Sequence, residues 1–254
     1  MFPPPPPPSA ALGTPRRRSF AAAAGWVAPA APYLARDRQT DPFCFSLSAR
    51  FHKHASRETT EPAGAETIPA CPVELRASVL AAFDVLEGCA LRVWAALAEA
   101  FDAPTLGELG ARVGGDDDLA RLRLRSGGGA SSEVVSSSPF DLMFYPNAPE
   151  WSEVANSTAH VDSPGLVTVV PCALTPGLAI LDQRDGRWIE VETLLEPCRD
   201  VLVFGASSLQ ILSKSAFRAA THEVRKHAKP RLSLVYELRP SMRAASDLAK
   251  MVYI

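Results

Sequence analysis

No stretch of this 254-residue chain is apolar for the roughly 18 residues a membrane-spanning helix needs, and the N-terminus lacks the basic-then-hydrophobic layout of a secretory signal. The expectation is a soluble protein that is not secreted. No C-x-x-C pair occurs among Cys44, Cys71, Cys89, Cys172 and Cys198. An odd number of scattered cysteines argues against a disulfide framework and for reduced intracellular thiols. Neither sign of charge dominates: 26 Lys plus Arg face 28 Asp plus Glu, for a formal net charge of -2. That balance excludes nucleic acid or an anionic membrane as the main partner and leaves a small molecule. The first 36 residues contain no acid, four arginines and much Pro and Ala. Residues 1 to 70 are therefore expected to be mostly irregular, a tail or a targeting segment. A cytoplasmic location is expected, with an organellar one as the alternative reading of that Arg- and Ala-rich start.

What is present has ordinary globular proportions, 47% hydrophobic and 21% charged residues, with no internal repeat. From Pro72 to Phe101, Leu75, Val79, Phe83, Leu86, Leu97 and Phe101 recur at helical spacing; Pro72 suits a first turn, Pro104 stops the run, and Gly88 is a candidate break. Thr105 and Glu108 have the spacing of a capping box opening a short helix that closes on Gly114 and Gly115. A helical support region over 71–125 follows from these signals. Asp116–Asp118 is taken as a solvated turn and the segment from Arg125 to Ser138 as a Gly/Ser-rich loop.

Beyond it the periodicity changes. "FDLMFY", "LVTVV", "GLAIL", "RWIEV", "DVLVF" and "RLSLVYEL" are short, rich in β-branched and aromatic residues, and separated by Pro, Gly, Asp and Ser. Asp185-Gly186 is a hairpin turn signal. Many short strands over about 100 residues indicate a mainly β domain at 139–240, a sandwich or barrel, for which a double-sheet jelly roll is one of the few ways to manage so many edges; the long helix supports it and a short tail at 241–254 follows.

The chemistry is concentrated in "AHVDSPGLVTVV", where His160 and Asp162 stand two apart and, on a strand, share a face. A hydrogen-bonded His–Asp pair and a metal site both account for such a doublet. Downstream, "THEVRKHAKPRLSL" supplies His222, then Arg231 and Ser233, again two apart. Two imidazoles and one carboxylate on one face of an iron leave three positions for an oxo-acid and dioxygen. Arg231 with a hydroxyl beside it suits a carboxylate, because guanidinium donates bidentately. His227 is read as a solvated loop residue and His52 and His54 as surface. Trp188 and Phe204 are read as core, and Lys214, Phe217 and Arg218 as pocket-rim candidates.

These motifs resemble the plant-type Fe(II)/2-oxoglutarate-dependent dioxygenases, which include isopenicillin N synthase-like enzymes. "AHVDSPGLVTVV" is similar to the family's first metal motif, "PGLAILDQRDGRWIEV" to its Pro-Gly-Leu hairpin, "VFGASSLQILSKSAFRAATHEV" to the stretch before its distal histidine, and "RLSL" to its R-x-S motif. The resemblance covers residues 139–240 and, more loosely, the long helix. It implies a double-stranded β-helix fold, His160, Asp162 and His222 as Fe(II) ligands, and Arg231 and Ser233 on the distal carboxylate of 2-oxoglutarate. Tyr145, in "FYPN", falls where the family has a phenol that binds the same co-substrate. Ascorbate is a candidate reductant. The chain departs from the pattern at Met143, where the family has Asn, and in "GASSLQ", which lacks the usual Asp. Its flanks are short, so the cavity is expected either to be open or to be completed by a second subunit; the oligomeric state is not encoded in any motif. The implied activity is oxidation, chiefly hydroxylation, of a small organic substrate coupled to oxidative decarboxylation of 2-oxoglutarate. The rivals are a 2-oxoglutarate-independent iron oxidase of the same family and a catalytically silent jelly-roll binding module.

Overall fold

The computed structural model describes residues 47–56, 66–67, 71–109, 133–147 and 155–250. The Pro/Ala-rich start, Gly114–Gly115, Asp116–Asp118 and the glycines at 127–129 lie outside them. Within them, ten strands form two antiparallel sheets. The larger sheet has the order β2-β1-β3-β10-β5-β8 and the smaller β4-β9-β6-β7. The strands are β1 (Leu47–Ser56), β2 (Glu66–Thr67), β3 (Glu133–Tyr145), β4 (Ser157–His160), β5 (Val167–Pro171), β6 (Leu178–Asp182), β7 (Arg187–Glu190), β8 (Val201–Gly205), β9 (His222–Val224) and β10 (Arg231–Leu238). From β3 to β10 the chain crosses repeatedly between the sheets. This is the double-stranded β-helix that the resemblance implies.

Each predicted strand forms, and the hairpin between β6 and β7 closes with Gly186 at φ +75°, a conformation L side chains resist. Order nevertheless begins earlier than composition suggests. β1 lies inside the span expected to be irregular, and β3 starts at Glu133, inside the expected Gly/Ser loop. The reason is mutual pairing, since β1 lies along the whole of β3. Weak strand formers such as Ser136–Ser138 are carried by that ladder and by hydrogen bonds of their own: the Ser138 hydroxyl accepts the Arg239 N–H at 3.0 Å, and the Ser137 hydroxyl donates to the Arg239 carbonyl at 3.3 Å. Pro139 has no N–H to give, and beside it the β1 register shifts between His52 and His54. His52 is half-buried rather than on the surface; its Nδ1 lies 2.9 Å from the Ser136 carbonyl and burial lowers its pKa.

Helix α1 (Val73–Phe101) runs unbroken through Gly88 and ends where Asp102 turns left-handed, with the Ala103 N–H returning to the Ala98 carbonyl at 2.9 Å. Its buried stripe, Val79, Phe83, Leu86, Ala90 and Trp94, packs on the larger sheet. Phe83 stacks on Phe140 (5.6 Å between centroids) and meets Tyr236 edge-on (5.4 Å). α2 (Leu106–Leu109) opens with the predicted capping box: the Thr105 N–H donates to Glu108 Oε2 at 2.6 Å, and the Glu108 N–H to Thr105 Oγ1 at 3.3 Å. α3 (Ser207–Leu212) follows β8. The expected C-terminal tail is in fact a helix, α4 (Met242–Lys250), which buries Ala245 and Leu248. A second, smaller cluster between the sheets, around Tyr145, Val170, Leu178 and Val224, borders the cavity described next. No described helix is long and apolar enough to cross a membrane, and Cys71, Cys89, Cys172 and Cys198 are free thiols.

Candidate metal centre and anion pocket

Adjacent strands place the two histidines. β4 pairs antiparallel with β9, and in that register His160 stands directly opposite His222, which brings the rings to 4.3 Å although 62 residues separate them in the chain. Asp162 arrives differently from the sequence expectation. β4 ends at His160, so the carboxylate is delivered by the turn that follows and not by strand alternation. Asp162 Oδ1 lies 3.6 Å from His160 Nε2 and 3.6 Å from His222 Nε2, and one ligand atom from each residue falls within 4.8 Å of the others.

The remaining polar atom of each side chain is already engaged. His160 Nδ1 donates to the Thr158 carbonyl (2.8 Å) and His222 Nδ1 to the Ala220 carbonyl (3.1 Å), which fixes tautomers whose Nε2 lone pairs face the centre. Asp162 Oδ2 accepts the Thr168 hydroxyl at 2.6 Å, leaving Oδ1 to the centre. Burial is the largest influence on His222 and lowers its pKa, keeping the ring in the neutral form a metal ligand requires. Two imidazole nitrogens and one carboxylate oxygen, each oriented by a second hydrogen bond, fit an octahedral divalent ion such as Fe(II) with open positions.

The cavity beside this centre encloses about 330 Å³. Arg231, Ser233 and Tyr145 all line it, as their motifs suggest, and Tyr145 stands opposite Arg231 in the β3–β10 ladder. The guanidinium differs from expectation in having an internal partner. Nη1 donates to both oxygens of Glu192 (3.0 and 2.8 Å) and to the Thr175 carbonyl (2.6 Å), in a pair whose side chains are only 1% and 2% exposed. Glu192 is held in turn by the N–H groups of Ala173 (3.2 Å), Gly177 (2.8 Å) and Leu178 (2.9 Å). Gly177 leaves little room there, because a Cβ would come within 3.0 Å of the Arg225 carbonyl and 3.3 Å of Arg231 Cδ. On the opposite edge of the guanidinium, Nη2 donates to Ser233 Oγ (3.2 Å) and Nε is buried without a partner. A carboxylate accepting from Nε and Nη2 would satisfy that orphaned donor.

Among the polar residues of the cavity, Thr168, Asp141 and Glu237 escaped the sequence reading, as did Glu192, which lies outside it against Arg231. Thr168, a hydroxyl inside an otherwise apolar strand, and Glu237, six positions from Arg231 and so on its face, carried a signal in their parity; Glu192 carried none. Phe204, expected in the core, lines the cavity with its ring 4.9 Å from that of His222. Lys214, Phe217 and Arg218 are not at its rim: Phe217 packs on Phe101 (5.1 Å), and Arg218 lines a separate shallow depression. Trp188 is half-buried with Arg225 over its ring, and His227 stays in its loop, accepting the Lys229 N–H.

Residues 135–240 match the family model for the 2OG-Fe(II) oxygenase superfamily. No curated protein matches the sequence. Among solved structures, a full-length Neurospora crassa protein in complex with alpha-KG and 5-formyluracil is 15% identical, with 80% of this chain and 60% of that one covered and a TM-score of 0.51. The dioxygenase for auxin oxidation of rice is 17% identical, with 80% and 58% covered and a TM-score of 0.50. The chain thus spans less than two thirds of either, and the likeness is one of fold. The segment from 135 to 240 is thus similar in sequence to the 2OG-Fe(II) oxygenase superfamily, and the described residues share the fold of these two structures.

Proposed function

We propose that this protein is a non-haem Fe(II)/2-oxoglutarate-dependent oxygenase acting on a small organic substrate. The observation that carries the reading is the convergence, in one cavity, of three metal-ligand atoms with a buried guanidinium whose Nε lacks a partner. Bound Fe(II) supplies the activation of dioxygen that decarboxylates 2-oxoglutarate to succinate and oxidises the substrate. His160, Asp162 and His222 hold the ion. Arg231 and Ser233 take the distal carboxylate of 2-oxoglutarate, with the Tyr145 phenol beside them. Glu192 anchors the far side of the guanidinium, so its donating edge is preset before the acid arrives. Val170, Phe204 and Val224 line the cavity and give the centre an apolar wall.

The test is anaerobic titration with Fe(II) and 2-oxoglutarate, watching for a visible charge-transfer band, followed by succinate release in air. Wild type is expected to show both. His160→Ala should lose tight iron binding and turnover, whereas Arg231→Lys, which keeps a cation for Glu192 and loses the forked donating edge, should keep iron and raise the 2-oxoglutarate requirement; wild-type succinate release by His160→Ala overturns the assignment. One observation favours a second reading. Glu192 already neutralises Arg231, which also suits an iron oxidase that uses no 2-oxoglutarate. Full substrate turnover with 2-oxoglutarate omitted selects that alternative.

A further inference from the structure

The cavity has two polar ends and an apolar waist. β10 turns Arg231, Ser233, Val235 and Glu237 toward it in alternation, so its two charged residues are about 20 Å apart along the strand. Val235 and Met143 form the waist. Asp141, Thr168 and Glu237 form the end remote from Arg231, with Asp141 opposite Val235 and Thr168 opposite Glu237 in the ladders. The same Thr168 holds Asp162, so this end adjoins the metal centre.

Most of the charge there is matched internally. Both oxygens of Asp141 accept from Arg50, each at 2.7 Å, and Arg239 donates to Glu237 Oε2 at 2.5 Å. Glu237 Oε1 is the exception, for it accepts no hydrogen bond among the described residues although Glu237 is only 6% exposed. Glu237 lines the cavity, so Oε1 is an unused acceptor there, open to a ligand that brings a donor.

On the proposed function, 2-oxoglutarate occupies the Arg231 end, which leaves the other end to the substrate. We infer that Glu237 is a substrate-binding residue whose Oε1 accepts a hydrogen bond from a nitrogen-bound proton, so that the substrates are small apolar-bodied molecules bearing an amine, lactam or ring N–H. The apolar waist holds the hydrocarbon body. A nitrogen donor, which can also carry positive charge, complements the ionised Glu237 carboxylate at pH 8, and an acid is repelled by it.

The experiment is anaerobic calorimetry on the Fe(II) and 2-oxoglutarate-loaded full chain at pH 8, with matched probes in which N–H is replaced by oxygen or carbon: indole against benzofuran, 2-piperidone against cyclohexanone, benzylamine against ethylbenzene. The N–H member of each pair is expected to bind tighter by roughly ten-fold or more. In Glu237→Leu that ratio is expected to fall to about one-fold while the charge-transfer band and the 2-oxoglutarate affinity stay at wild-type values. Equal binding within the pairs, weak or strong, overturns the inference in wild type alone, without any variant. A preference that persists in Glu237→Leu overturns it as well. Absence of the charge-transfer band in wild type is a different failure, which removes the functional reading and this inference with it.

Discussion

At the scale of single residues, the site is governed by what each ligand's second polar atom does. Thr168 fixes Asp162 Oδ2, and Thr168→Val, which keeps shape and removes the hydroxyl, should weaken Fe(II) binding about 10- to 100-fold with little loss of stability. Metal titration alongside thermal unfolding separates the two effects. Glu192→Ala should be far more damaging to the fold. It leaves a guanidinium at 1% exposure and three backbone N–H groups without their acceptor, and breaking such a pair costs about 3–5 kcal/mol. Urea unfolding reads that loss, and a cost below about 1 kcal/mol rejects the account of a closed, buried network. None of this was legible at Glu192 in the sequence, because an acid following a strand carries no mark of which distant arginine will bury against it.

At the scale of elements, periodicity did most of the work. The stripe Val79, Phe83, Leu86 on α1 is visible in the sequence because a helix repeats its faces every 3.6 residues, and those residues form the layer against β3 and β10. Phe83, fully buried between Phe140 and Tyr236, is the centre of that layer; Phe83→Ala should cost about 3–5 kcal/mol in denaturant unfolding, with the transition slope unchanged. Strands whose sequence is apolar were equally legible. Ser136–Ser138 were not, since their strand state comes from β1 on one side and hydrogen bonds to Arg239 on the other. Likewise β1 itself lies in a stretch whose composition suggests no order, and only pairing along β3 makes it a strand.

At the scale of the whole molecule, the cavity walls couple stability to pH through Glu237. Burial, with the charges of Asp162 and Asp141 adding and Arg239 opposing, raises its carboxyl from 4.5 to about 7. The folded protein therefore holds a proton that the unfolded chain releases above pH 4.5. This contribution is complete below about pH 4.5 and is lost as pH rises through about 7. In the metal-free protein, Glu237→Gln should gain on wild type between pH 5 and pH 8 by on the order of 2–3 kcal/mol, measured as the difference between their urea-unfolding free energies. A pH-independent difference removes the assignment of that proton to Glu237.

The sequence by itself determined the class of fold and the residue types of the centre, because strand alternation, turn glycines and the spacing of His160, Asp162, His222 and Arg231 are local or motif-borne properties. Only the tertiary structure decided how they meet. The cross-strand register of β4 and β9 set the two imidazoles face to face, the packing between the sheets buried Glu192 against Arg231, and the β5–β10 ladder stationed Glu237 beside Thr168. The physical reason is that the partner of a buried charge is fixed by pairings across long chain separations, to which one-dimensional pattern is blind.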